Sequence, residues 1–249
     1  MAFSLRDVYS VLWPELRFLR RNWASILVTS LITPVLYLLA FGYGLGQGVT
    51  VDGVSYLAFI IPGIVALTSM SVSFSGAAMK LNVDRLYYKS FDEVLMSPVS
   101  FSSIIVGKAL LGVLRGLLSC GAIIIMGAFI SPKLIIDPLF ILALITSCLA
   151  FSFLGVFAAL VVRSHQSMST FTSMVILPMT FLCGTFFSLS RGPDFLKAVL
   201  YALPLTHASE CIRSAALGQP FPWISLVVLV GFGAFFYLAS MHVLRKSSI

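Results

Sequence analysis

The chain has 249 residues, 59% of them apolar and only 10% charged, with a formal net charge of +7. Soluble domains are roughly 45–50% apolar and about 25% charged, so nine acids and sixteen bases are too few to coat a water-facing surface. A disordered chain, a disulfide scaffold and a water-soluble globule are excluded, and a mean hydropathy of +1.04 makes lipid the main solvent.

Between charged residues lie six long stretches, 22–51, 53–79, 116–132, 138–162, 164–190 and 214–244. A helix rises about 1.5 Å per residue, so about 20 residues cross about 30 Å of hydrocarbon. Five stretches suffice, and the third must extend upstream past Arg115. The expected fold is an all-α integral membrane protein, a single transmembrane domain over 1–249. It has an interfacial amphipathic helix at 4–22 and six transmembrane helices at 23–44, 56–79, 102–130, 138–162, 167–188 and 222–244.

In the first segment Leu5, Val8, Leu12, Leu16 and Leu19 recur at helical spacing, opposed by Arg6, Asp7, Ser10, Arg17, Arg20 and Arg21. That pattern describes a helix in the membrane surface, an orientation anchor or a gating element, kinked or divided at Pro14. It lacks the form of a cleavable signal peptide. The first span has Trp23 and Tyr43 at opposite interfaces and ends in the glycine-rich Gly42–Gly48. Because this run follows a membrane helix, it is not read as a nucleotide loop. The second span carries Ser69, Ser71, Ser73 and Ser75, residues that let membrane helices approach closely.

Residues 80–98 form the longest charged interruption. A short helix over 90–97 is expected, with Ser90 and Glu93 as a capping box, Phe91, Val94 and Leu95 as an apolar face, and Asp92 and Glu93 as acids. A mere turn needs only about 2–8 residues, which favours a docking element. On the third span Lys108, Gly112, Arg115 and Ser119 share one face, beside a Gly112-x-x-x-Gly116 packing strip. Lys108 can snorkel. Arg115 lies two turns deeper, where an arginine costs at least about 2.5 kcal/mol, and is either a deep snorkelling residue or a cationic lining for an anionic head group. The fourth span is featureless. On the fifth, Ser169, Ser173, Thr180 and Gly184 fall on one face, as helix packing or as pathway lining.

The stretch 188–222 is apolar yet too short to cross, so two short helices broken at Pro204 are expected as a re-entrant helical hairpin over 192–218, between the fifth and sixth spans. Thr206 would cap the second helix and Gly218 would end it. His207, Glu210, Arg213 and Ser214 cluster at spacings of three and four, as an outer site or as a self-satisfying Glu–Arg pair.

Eleven of the sixteen basic residues lie on the side shared by both termini, which the positive-inside rule makes cytoplasmic. The net charge is explained by anionic lipid and an acidic protein partner, with no nucleic acid. Cys120, Cys148, Cys183 and Cys211 form no close pair, so no metal or disulfide framework is expected. No catalytic residues are assigned. Ser73-Phe-Ser75-Gly lacks the first glycine of a nucleophile elbow, His165, His207 and His242 are scattered, and His-Glu-x-x-His is absent, which counts against an intramembrane protease. A proton-coupled secondary transporter is weakened because the acids lie in loops, at helix ends or in the hairpin. No Walker sequence occurs, so nucleotide energy would come from elsewhere.

Leu177-Pro-Met-Thr-Phe-Leu-Cys-Gly-Thr-Phe-Phe187, then Leu203-Pro-Leu-Thr-His207 with Arg213 and Leu217-Gly218, resembles the permease subunits of type-2 ATP-binding-cassette exporters. The chain is most similar to short six-span forms that export lipo-oligosaccharides, polysaccharides or drugs. Phe91-Asp-Glu-Val-Leu-Met-Ser-Pro98 and the N-terminal helix fit the same plan. The resemblance implies a homodimeric permease in the bacterial cytoplasmic (inner) membrane, served by two copies of a cytoplasmic ABC ATPase that hold the ATP and Mg, with no cofactor on this chain. It makes 90–97 the coupling helix and 192–218 the outer hairpin. Thr185 departs from the pattern, in which a smaller residue often follows the glycine.

Overall fold

The structure is a computed structural model that describes residues 4–44, 50–51, 54–130, 135–182, 184–185 and 199–247. Lys133, Cys183, Arg191, Lys197 and the first arm of the expected hairpin, 192–198, lie outside the described residues. The protein is all-helical apart from a two-residue antiparallel ladder, Thr50–Val51 with Val54–Ser55. The helices are α1 (Leu5–Tyr37), α2 (Tyr56–Leu86), α3 (Ser90–Met96), α4 (Phe101–Ile130), α5 (Pro138–Val161), α6 (His165–Phe171), α7 (Leu177–Leu182), α8 (Pro204–Ala216) and α9 (Trp223–Ser247). π-helical turns follow α1 at Leu38–Gly44 and join α6 to α7 at Thr172–Ile176. Among the described residues, five helices are long and apolar enough to cross a membrane: α1, α2, α4, α5 and α9.

α2 is the hub. It packs on α4 and α5, α1 covers α4, and α9 covers α5. With no aqueous driving force inside lipid, close backbone approach and hydroxyl bonds hold such helices together, and α2 has both. Ser69 bonds Ser147 of α5 at 2.6 Å. A Cβ on Gly116 of α4 would collide with Ser73 Oγ and approach Cys148 Sγ, and one on Gly112 would strike the Ser73 carbonyl oxygen and Ser152 Oγ. Cys120, Cys148 and Cys211 are buried free thiols within this packing.

Several elements differ from expectation. The interfacial segment and the first span form one helix, bent at Asn22 (φ −116°, ψ 15°), while Pro14 sits inside unbroken helix. Val11 and Glu15 on either side of Pro14 are buried, so packing holds that stretch helical, and the break falls at Asn22 instead. The helix expected to stop at 79 continues to Leu86. Charge marks the end of the hydrocarbon, not of the helix, and these charges are paired. Lys80 bonds Asp84 at 2.5 Å, and Arg85 donates to the carbonyls of Ala159, Leu160 and Val162, capping the C-terminus of α5. The fifth span is a broken α–π–α run from His165 to Leu182. Ser4 bonds Ser103, and a groove joins α3 residues to Met241 and Arg245, so both described chain ends lie at the α3 end.

Candidate functional site

Three places gather the expected site residues. The first is α3. Lys89, at φ 55°, turns the chain into it, and Ser97 closes it by donating to the Val94 carbonyl through its N–H and hydroxyl. Lys89 is the N-cap and Ser90 already lies inside the helix, so the expected Ser90–Glu93 capping box is absent; the left-handed turn at Lys89 sets the start instead. Phe91 is 3% exposed, Val94 and Leu95 are half-buried, and Asp92 and Glu93 are exposed, Glu93 at the rim of the cavity behind the helix. The helix is pinned by its apolar face and presents its acids. Tyr87, Tyr88 and Met96 stand exposed beside them, at 82%, 69% and 88%. Sequence reasoning passed over these three because their surroundings decide whether an aromatic is core or surface.

Directly behind α3 lies a cavity of about 650 Å³, lined by Glu15 and Phe18 of α1, Lys80 and Asp84 of α2, Glu93 of α3 and Lys108 of α4. Lys108 does not snorkel to the interface as expected. It is buried and bonds Glu15 at 2.6 Å and Asp84 at 2.8 Å. The bent N-terminal helix brings Glu15 over α4, and the extra turns of α2 bring Asp84, so acids invisible as partners in the sequence capture the lysine.

The second place is deeper on the same three helices. A cavity of about 350 Å³ is lined by Thr29, Ser30 and Thr33 of α1, Thr68, Ser71 and Ser75 of α2, and Arg115 of α4. Ser119 borders this seam, its hydroxyl 2.7 Å from that of Ser30. Among the described residues Arg115 has no hydrogen bond or ion pair; its guanidinium lies 5.5 Å from the Phe18 ring centroid and its Nε is buried. Ser169, Ser173 and Thr180 are not brought here. The π turn shifts the helix register, leaving Ser169 and Ser173 exposed and turning Thr180 inward, its hydroxyl on the Ile176 carbonyl. The single stripe expected from these residues and Gly184 is therefore split. Thr29 and Thr33 were passed over, and Ser71 and Ser75 were read only as helix packing; the serine and threonine spacing on two helices was the available signal.

The third place is the opposite end. α8 begins at Pro204, so Thr206 does not cap it but donates to the Leu200 carbonyl at 2.6 Å, tying α8 to the turn before it. His207 lies 2.8 Å from the Tyr201 carbonyl. Glu210 accepts from Tyr201 at 2.5 Å and from Ser225 at 2.8 Å, which takes it away from Arg213. That bond, with burial, pushes the Tyr201 phenol up to about 12. Arg213 instead stacks 3.9 Å from the Phe59 ring centroid and donates to the Gly184 carbonyl at 2.8 Å. Gly184 and Gly218 have positive φ, and Gly218 ends α8. Glu210 and Arg213 are thus engaged with other elements and not with each other, so the expected outer cluster ties α8 to α2, to α9 and to the segment after α7.

No serine–histidine pair exists among the described residues. Ser75 Oγ faces the Val72 carbonyl and His165 faces Asn82.

A buried polar seam in an all-helical, multi-span chain, with a pinned acidic helix at one end, is the arrangement of a transport protein. The sequence profile described as "ABC-2 type transporter" matches residues 6–217. The chain belongs to the ABC-2 type transporter family. Similar proteins include the inner membrane transport permease YadH of Escherichia coli (strain K12), 27% identical over 236 residues that cover 93% of this chain and 92% of that protein. Nodulation protein J of Rhizobium meliloti (strain 1021) is 28% identical over 223 residues, 86% of this chain and 85% of that protein. Nodulation protein J of Rhizobium leguminosarum bv. viciae is 31% identical over 199 residues, 79% and 76% respectively. This ABC-2 permease is a transport subunit, and its long apolar helices carry it through the membrane several times.

Proposed function

We propose that this permease is the membrane subunit of an ATP-driven exporter, and that it moves an amphipathic or lipid-linked cargo, a glycolipid-like molecule or a hydrophobic drug, out of the cytoplasm or inner leaflet. It sits in the inner membrane with both termini cytoplasmic, the side on which its basic residues concentrate. Two permeases work with two copies of a separate ATPase, which holds the ATP and Mg. The observation that carries this reading is α3, anchored by buried Phe91 and offering Asp92 and Glu93 outward beside Tyr87 and Tyr88. A helix so mounted transmits a push to α2 and α4. For transport, the ATPase must contact two states of the permease differently, since equal affinity shifts no population.

The test is Asp92→Lys with Glu93→Lys, co-expressed with the ATPase. Membrane level is expected to stay near wild type while export falls at least about tenfold, as removal of a docking charge pair from an interface predicts. Wild-type export by this variant refutes docking through α3. Buried Glu15 and Asp84 favour a second reading, a proton-coupled carrier. Two lysines neutralise them, however, and that reading requires gradient-driven uptake in vesicles without any ATPase.

A further inference from the structure

The two cavities are stacked on one seam. α2 gives Lys80 to the one behind α3 and Gly76, one turn away, to the deeper one. α4 gives Lys108 and then Arg115, and α1 gives Phe18 and then Ile26. Phe18 lines the cavity behind α3, and its ring centroid is 5.9 Å from Lys80 Nζ of that cavity and 5.5 Å from the guanidinium of Arg115, which lines the deeper one.

Charge differs between the levels. Behind α3, three acids, Glu15, Asp84 and Glu93, face two lysines, with Glu15 and Asp84 both on Lys108 and Lys80 also on Asp84, so the positive charge of that level is fully taken up. Glu15, the acid whose field reaches Arg115, gives one carboxylate oxygen to Lys108 and makes no hydrogen bond to Arg115. Arg115 keeps a whole positive charge at the mouth of a chamber otherwise walled by hydroxyls and apolar side chains. A lone arginine at membrane depth calls for an anion. Hydroxyls supply neutral hydrogen bonding around it, and the chamber walls Ile26, Leu67 and Val72 accept hydrocarbon.

Resting on the exporter reading, we propose that the deeper cavity is the head-group site for an amphiphile bearing a phosphate or similar anion, with Arg115 as its charge partner, and that Phe18 is the inner gate through which the head group enters from the α3 side. The aromatic ring lies within cation–π distance of two cations, Lys80 and Arg115. An arriving anion competes for both, which loosens the ring as the head group passes.

The test uses the purified permease in phosphatidylcholine nanodiscs without ATPase. Dodecyl phosphate is expected to bind at least about tenfold more tightly than dodecyl maltoside or inorganic phosphate. Arg115→Gln should erase that preference and Arg115→Lys should keep part of it. Equal binding of inorganic phosphate overturns the amphiphile, and an unchanged preference in Arg115→Gln overturns the charge partner. A second arm keeps Arg115 intact: Ser75→Cys is labelled with a membrane-impermeant maleimide added from the α3 side. Phe18→Ala should speed labelling about tenfold, on the scale of removing one barrier of roughly 1.4 kcal/mol, and dodecyl phosphate should slow it. An unchanged rate removes the gate. If both arms fail while the Asp92/Glu93 variant still loses export, the site falls and the exporter reading stands.

Discussion

Lys108 is buried to 8% exposure against Glu15 at 3% and Asp84 at 4%, and the second carboxylate oxygen of Glu15 has no partner. Removing the lysine leaves buried Glu15 without its cation and Asp84 with Lys80 alone. Lys108→Met is expected to destabilise the protein by about 3–5 kcal/mol, read as a lowered unfolding midpoint in detergent. Lys108→Met with Glu15→Leu should recover part of the loss, since Asp84 keeps Lys80 and replacing a buried ion pair with apolar groups is often neutral. At the other end, the Tyr201 phenol holds its proton longer in the fold than the ordinary value of 10.0, up to about 12. The Tyr201–Glu210 bond therefore stabilises fully below about pH 10 and is lost as pH rises through about 12. Phenolate absorbance should show a late-titrating tyrosine that Glu210→Gln returns toward 10.0.

At the scale of elements, the α2–α4 contact depends on the absence of side chains at Gly112 and Gly116. Gly112→Val forces α4 off the Ser73 carbonyl. A cost of about 1–3 kcal/mol follows from overpacking, measured as loss of the unfolding midpoint or of folded yield. Gly121 and Gly231 have open space where a Cβ would go, so Ala at either should be tolerated. The π turn at Thr172–Ile176 shows why a face drawn on an ideal helical wheel misplaced Thr180 relative to Ser169 and Ser173. The Gly112-x-x-x-Gly116 strip was legible because small residues at that spacing mean one thing in lipid. The register shift was not, since nothing in 172–176 announces it.

For the whole molecule, the proposed function places all hydrolysis on a partner ATPase. Purified protein free of contaminants should show background ATPase activity only, and adding the cognate ATPase should restore turnover, checked by phosphate release. The six uncharged stretches made an all-helical, multi-span membrane protein readable from the sequence, because about 20 apolar residues in lipid have few alternatives to a helix. The acidic segment at 90–97 and its apolar residues were readable too, as local pattern. What only the tertiary structure decided is which charges meet. Glu15, Asp84 and Lys108 are far apart in the chain and join because the helix bent at Asn22 lies across the end of α4 and α2 runs on to Leu86. Arg213 likewise leaves Glu210 for Phe59 and the Gly184 carbonyl. Helix existence follows from local composition and solvent. Pairing follows from crossing geometry and helix length beyond the hydrocarbon, and those are properties of the packed bundle.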